Sequence, residues 1–223
     1  EAGKEGVMIL SADAETLWGA ATGLARAAAG VSRDPGRPAL LFFTDPVRTP
    51  QPWLTAAALP PGAAVVYRSF GAADARSVAE RLRRLTAARG VRLLIGLDAD
   101  LAQAVGADGV HLPERALDRA DDLRRRHPGW QVTGAVHSAT SLAGARALSA
   151  AVLSPVFAAG GASAHRSALG VTAFAALVRD APVPVYALGG LSADNADSLR
   201  GSGACGLAGV ASIQAAFGHG VRI

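Results

Sequence analysis

The chain has 223 residues, half of them hydrophobic and 18% charged, which is enough apolar material for one sizeable core. Its formal net charge is +4, and Lys4 is the one lysine among 22 basic residues. The arginines are spread along helix-like stretches such as 80–88 and 123–127, so the concentrated basic patch of a nucleic-acid binder is missing, and a Schiff-base or phosphate-gripping lysine beyond position 4 is excluded.

The elements follow in chain order. Residues 12–29 carry helical apolar spacing (Leu17, Trp18, Ala21, Leu24, Ala25), with Ser11 or Asp13 as the cap. Residues 32–38 form a turn-rich break. Beyond it, eight short apolar runs alternate with amphipathic stretches. The runs cover 39–43, 63–67, 91–95, 109–112, 131–135, 151–153, 183–188 and 205–210. Helices are expected at 73–88, 101–105, 114–126, 141–148, 171–178 and 194–199. Strands without polar alternation suit a parallel sheet covered on both faces, and eight of them with crossovers predict a (β/α)₈ TIM barrel of the α/β class. The first helix then lies outside the eightfold repeat, over the barrel's bottom. The expected organisation is a helix and linker at 1–38 and one barrel domain at 39–223.

Cys205 stands alone, which fits a reducing compartment. The longest uncharged stretch, 201–221, is rich in Gly, Ser and Ala and reads as strand, turn and helix, not as a membrane span. The start, with Glu1, Lys4 and Glu5, lacks a basic leader. A cytoplasmic protein with no nucleic-acid or membrane partner is expected; a homo-oligomer is compatible with this.

Two glycine-rich turns carry the strongest chemical signal. Val183-Pro-Val-Tyr-Ala-Leu-Gly-Gly190 runs a strand into paired glycines, and Gly203-Ala-Cys-Gly-Leu-Ala-Gly-Val-Ala-Ser212 forms the next strand, a small-residue turn and a helix start. In barrels, the loops after strands seven and eight supply backbone N–H groups to a phosphate, and glycine permits the close approach. Gly189, Gly190, Gly209, Val210 and Ala211 are therefore the expected phosphate cup, the alternative being that the glycines only make tight βα turns.

The segment from Val91 to Leu112, with Ile95-Gly-Leu-Asp98 and Gly109-Val-His-Leu112, resembles the third and fourth strands of the thiamine-phosphate synthase family. Thr133-Gly-Ala-Val-His-Ser138, Ser154-Pro-Val-Phe157, Leu169-Gly170 and both glycine turns are similar to its later motifs, so the resemblance runs from about Leu40 to Ile213. It implies this barrel and a thiazole phosphate as ligand. One family activity joins that ligand to a pyrimidine pyrophosphate; the other, the TenI-type thiazole tautomerase, only shifts a proton.

Departures from the family pattern separate the two. The synthase's Asn-Asp after strand three, whose Asp binds Mg²⁺, is here Gly96 and Leu97. Its second metal-binding Asp is here Ala116, and its Gln-x-Arg-x-Lys pattern reads Val66, Arg68 and Phe70. The Thr-rich, Lys-containing loop after strand six is replaced by 158–166. A departing diphosphate needs metal and cationic donors, whereas a proton shift needs an anchor and one group titrating near neutrality. The resemblance to the tautomerase's Val-His-Ser makes His137 the expected general acid/base, with Ser138 beside the substrate. Arg68 is expected to grip a carboxylate or phosphate, or else to form a rim salt bridge. His165 and Arg166 lie in the loop over the mouth. No cofactor is expected for the proton shift. Mg²⁺ enters only with the joining reaction, through Asp98 and Asp100; otherwise Asp100 caps the next helix and Asp98 is a solvated loop acid. A non-catalytic paralogue that binds a phosphorylated ligand is the remaining reading. His111 is expected to pack or to bond backbone, while His127 and His219 carry no argument. Trp18, Trp53 and Trp130 are expected to be packing anchors.

Overall fold

A computed structural model describes residues 10–29, 36–160 and 165–218. His219 and the first nine residues lie outside them. Eight parallel strands close a barrel in sequence order: β1 (Leu40–Phe43), β2 (Ala63–Tyr67), β3 (Arg92–Gly96), β4 (Gly109–Leu112), β5 (Gln131–Val136), β6 (Ala150–Leu153), β7 (Val185–Leu188) and β8 (Gly206–Gly209). Closure is made by β1 and β8, with Leu40 beside Leu207 and Phe42 beside Gly209. Each expected run thus becomes a strand, displaced by no more than two residues at either end.

The period of two along each strand sorts side chains into two cores. Leu40, Phe42, Val65, Leu93, Ile95 and Val110 face outward and pack beneath the helices. Leu41, Phe43, Val66, Leu94, Val152 and Tyr186 fill the barrel itself. Both faces being apolar, the strands read as unbroken hydrophobic runs, which is why they were visible. Tyr186 donates its hydroxyl from this inner layer to the Pro38 carbonyl, 2.5 Å away.

The helices α1 (Ala12–Ala29), α3 (Ala75–Ala88), α4 (Ala99–Val105), α5 (Ala120–Arg126), α6 (Ala139–Ala143), α7 (Gly170–Arg179), α8 (Ala193–Ala196) and α9 (Ala211–Phe217) join a further one, α2 (Pro52–Ala58). α2 is not among the expected helices. It is only seven residues long, and Pro52, which at the first helical position is compatible with a helix, reads from sequence as a break. The single helix expected over 114–126 is a 3₁₀ segment, Glu114–Arg119, followed by α5. α1 does not cap the bottom. Leu17, Ala21 and Leu24 bury one stripe, and the helix lies against β8, α8 and α9 on the barrel's flank, with only Ala28 reaching the inner core. No helix among the described residues is long and apolar enough to cross a membrane.

Candidate active site

The inner core turns polar at the carboxyl end of the strands, where barrel chemistry takes place. His137 follows β5. Its backbone N–H donates to Glu114 Oε1 and to Ser141 Oγ, both at 3.2 Å, so the loop position is fixed by neighbours on two sides. Its ring Nδ1 lies 3.0 Å from the Ser154 carbonyl oxygen and 3.2 Å from Ser154 Oγ. A carbonyl only accepts, so Nδ1 carries the proton in the neutral ring and Nε2 keeps its lone pair for a ligand. Burial opposes ionisation of Glu114, but hydrogen bonds from Ser141 and His137 and the charges of His137 and Arg166 outweigh it and hold this carboxyl below its ordinary value.

His111, on β4, is 6% exposed. It meets Phe43 edge-on at 4.8 Å, and its Nδ1 lies 3.0 Å from Thr133 Oγ1. It therefore packs as expected, but bonds a hydroxyl and not the backbone. Burial, followed by the charges of Arg68 and His137, pushes its pKa down to about 3. An unfolded His111 protonates near pH 6.5 while the folded one stays neutral, so between those values the unfolded state binds the extra proton and stability rises with pH. Acid unfolding should show this directly: His111→Gln is expected to remove a loss of ~1.4 kcal/mol per pH unit below pH ~6.5. Identical pH slopes for the two proteins in urea titrations would remove His111 from the account.

Arg68 extends from the end of β2. Its Nε donates to the Thr44 carbonyl at 2.7 Å, and its guanidinium sits between the rings of Phe43 (5.5 Å) and Phe70 (5.2 Å). Burial lowers its pKa, Asp45 opposing and Arg48 adding to the effect. Gly96 makes this path available: a Cβ there would begin 3.1 Å from Arg68 Cγ and 3.3 Å from the Tyr67 carbonyl. Phe70 and Leu97 carry the left-handed φ values of 49° and 65°, unusual for side-chain-bearing residues, and Phe70 is 68% exposed. Strain of this kind gathers at functional rims.

The glycine turns build one wall of a cavity of about 210 Å³ beside β7, β8, β1 and β2. Gly189, Gly190, Gly209, Val210 and Ala211 all line it, with φ of 104° and 62° at the two paired glycines. Arg68 forms part of the opposite wall together with Arg48, a residue the sequence did not single out. Closure of β1 against β8 brings the 45–48 loop beside residues 209–212. A larger groove of about 1030 Å³ lies toward the other end of the barrel, between α1, α7 and the starts of β7 and β8. Its lining is mostly alkyl, and burial raises the Cys205 thiol there to about 12, too high for a nucleophile at neutral pH.

The remaining expected residues scatter. Ser138 is exposed and committed to a capping box with Ser141 at the start of α6, so it does not line the cavity. His165 and Arg166 are exposed, and the charge of Arg166 bears on Glu114, not on the cup. Asp98, not Asp100, caps α4, accepting from the Leu101 N–H at 2.9 Å. Ala116 is buried, Arg119 Nη1 reaches the Leu97 carbonyl at 3.4 Å, and among the described residues no three His, Cys, Asp or Glu side chains cluster as metal ligands. Asp98 next to the end of β3 spends one carboxylate oxygen on the α4 cap, and the guanidiniums of Arg68 and Arg119 flank that strand end. His127 stacks on Trp130 at 3.8 Å, Arg81 covers Trp53 at 4.1 Å, and all three tryptophans pack against the outer core. Glu114 and Arg48 were both missed. An acid two residues from the missing Asp at 116 was the available sign for Glu114; Arg48 had none.

Comparison with known proteins agrees with this geometry at the level of family. Residues 40–215 match the family model described as thiamine monophosphate synthase. A protein from Geobacter sulfurreducens is 34% identical over 138 residues, 61% of this chain and 65% of its own length. The thiamine-phosphate synthase of Methanoculleus marisnigri is 32% identical over 149 residues, covering 66% and 69%, and that of Chloroflexus aurantiacus 32% over 166 residues, covering 72% and 76%. The matched part thus spans about two thirds of the length of the first two relatives. Among solved structures, the thiamine phosphate pyrophosphorylase of Pyrococcus furiosus shares the fold, with a TM-score of 0.67 at 22% identity over 80% of this chain and 91% of that one. The chain belongs to the thiamine monophosphate synthase family, the family that includes the TenI proteins.

Proposed function

We propose that the protein is an enzyme of thiamine biosynthesis that binds a thiazole phosphate and shifts a proton on its ring, without a metal. The observation that carries this reading is His137: Nδ1 is tied to the Ser154 carbonyl, its Nε2 is left free for a ligand, and no donor set for a divalent cation stands near it among the described residues. The phosphate tail would lie in the cup at Gly189–Gly190 and Gly209–Ala211, on the β7–β8 side, and the ring would extend across the mouth toward β5. In that pose Nε2 takes a proton from one ring atom and returns it to another, so no net charge has to be carried away.

The names of the relatives favour the joining reaction, which is the second reading. It has to place a diphosphate leaving group beside Gly96, Leu97 and Ala116, where the arginines Arg68 and Arg119 are the cations at hand. Purified protein separates the two. Under the first reading, the non-aromatic thiazole phosphate tautomer is turned over at a rate unchanged by a chelator. Formation of thiamine phosphate from the two phosphorylated halves, abolished by that chelator, would establish the second instead.

A further inference from the structure

The cup cavity has an unbalanced charge. Arg48 Nη2 lies 3.0 Å from Asp45 Oδ2, a hydrogen bond, while Arg68 Nη2 points toward the same oxygen from 3.8 Å, too far for one. The other carboxylate oxygen, Oδ1, is taken by the backbone N–H groups of Val47 and Arg48 at 3.1 and 3.0 Å. Arg68 Nη2 is therefore enclosed with no acceptor. One carboxylate faces two guanidiniums, and among the described residues Arg48 and Arg68 are the only charged ones lining the cavity. The facing wall offers glycine backbone. Burial opposes ionisation of Asp45, but its bonds to Arg48 and Val47 prevail and keep it ionised, so the net positive charge is fixed. A buried donor left unpaired is costly, and a ligand oxygen relieves it.

We infer that Arg48 is a specificity-determining residue that works with Arg68 to select a doubly ionised phosphate ester over a singly charged tail. The inference rests on the cup taking a phosphate, as proposed above. Two planar forks and a glycine wall match the three terminal oxygens of a dianionic phosphate monoester. A sulfate ester has the same shape and one charge less, so it satisfies the oxygens without balancing the second guanidinium.

Calorimetric titration with methyl phosphate and methyl sulfate at pH 7.5 reads this. Wild-type protein is expected to prefer methyl phosphate by about tenfold or more, the scale of one charge-assisted bond. Arg48→Gln should reduce that preference to within about twofold, chiefly by weakening methyl phosphate, and Arg48→Lys should keep part of it because charge remains while the fork is lost. Thermal unfolding of both variants serves as the check on folding, and Arg48, with a third of its side chain exposed, should be replaceable there. A wild-type preference retained in Arg48→Gln overturns the role of Arg48 and leaves the phosphate cup standing. Wild-type protein that binds neither probe overturns both.

Discussion

His137→Ala should lower the turnover of the thiazole tautomer by ~10²–10⁴-fold while leaving affinity for the phosphorylated ligand within about threefold, the magnitude expected for loss of a positioned general acid/base. The split follows from the geometry. His137 does not line the cup cavity, and its fixed points are the Ser154 carbonyl, Glu114 and Ser141. Removing the ring deletes the proton carrier without touching Arg48, Arg68 or the glycine turns. Glu114 and Ser141 hold the backbone N–H of residue 137, which the substitution keeps, so the loop has no reason to move. Steady-state and single-turnover kinetics measure the rate, and calorimetry the binding. Turnover in His137→Ala equal to wild type would remove the histidine from the chemistry. Equal losses of rate and affinity would make it a binding residue instead.

The sequence made the barrel readable because the strands are buried on both faces and the helices are not. Leu40–Phe43 and Ala63–Tyr67 appear as uninterrupted apolar runs, while α3 shows its arginines and buries little more than Ala79, Leu82 and Thr86. α1 could be bounded to the residue because its stripe is long and regular, but its docking partner could not, since a stripe says what is buried and not against what. The cup was legible as glycine spacing. The Arg48 side of it was not: Arg48 lies some 160 positions before Gly209, and only closure of β1 on β8 makes them neighbours. Asp98 and Asp100 show a finer limit. Either can begin a helix by spacing, and the choice depends on backbone angles that Leu97, at φ 65°, sets just upstream. Ser138 shows a related ambiguity: the serine pair with Ser141 is a helix-start signal as much as a ligand contact.

Gly190→Ala should destabilise the protein by ~2–5 kcal/mol and abolish measurable binding of methyl phosphate. Two costs combine at this position. A φ of 62° charges any residue with a Cβ roughly 1–2 kcal/mol. That Cβ would also begin 2.4 Å from the Ala158 carbonyl oxygen and 2.8 Å from Phe157 Cβ, an overpacking worth roughly 1–3 kcal/mol. Gly106 provides the matched control, with φ of 65° and nothing within 4 Å of its would-be Cβ, so Gly106→Ala should show only the first cost. For a chain of this size the two variants should differ in Tm by about 2–12 °C. The carbonyl that blocks Gly190 belongs to the stretch after β6, and Ala159 and Gly160 in that stretch line the cup. Relief of the clash therefore displaces a cavity wall, whereas strain at Gly106, at the end of α4, stays away from the mouth. Equal Tm values for the two variants, or phosphate binding that survives Gly190→Ala, would mean that the 157–160 segment yields to the new side chain and that the cup does not depend on this turn.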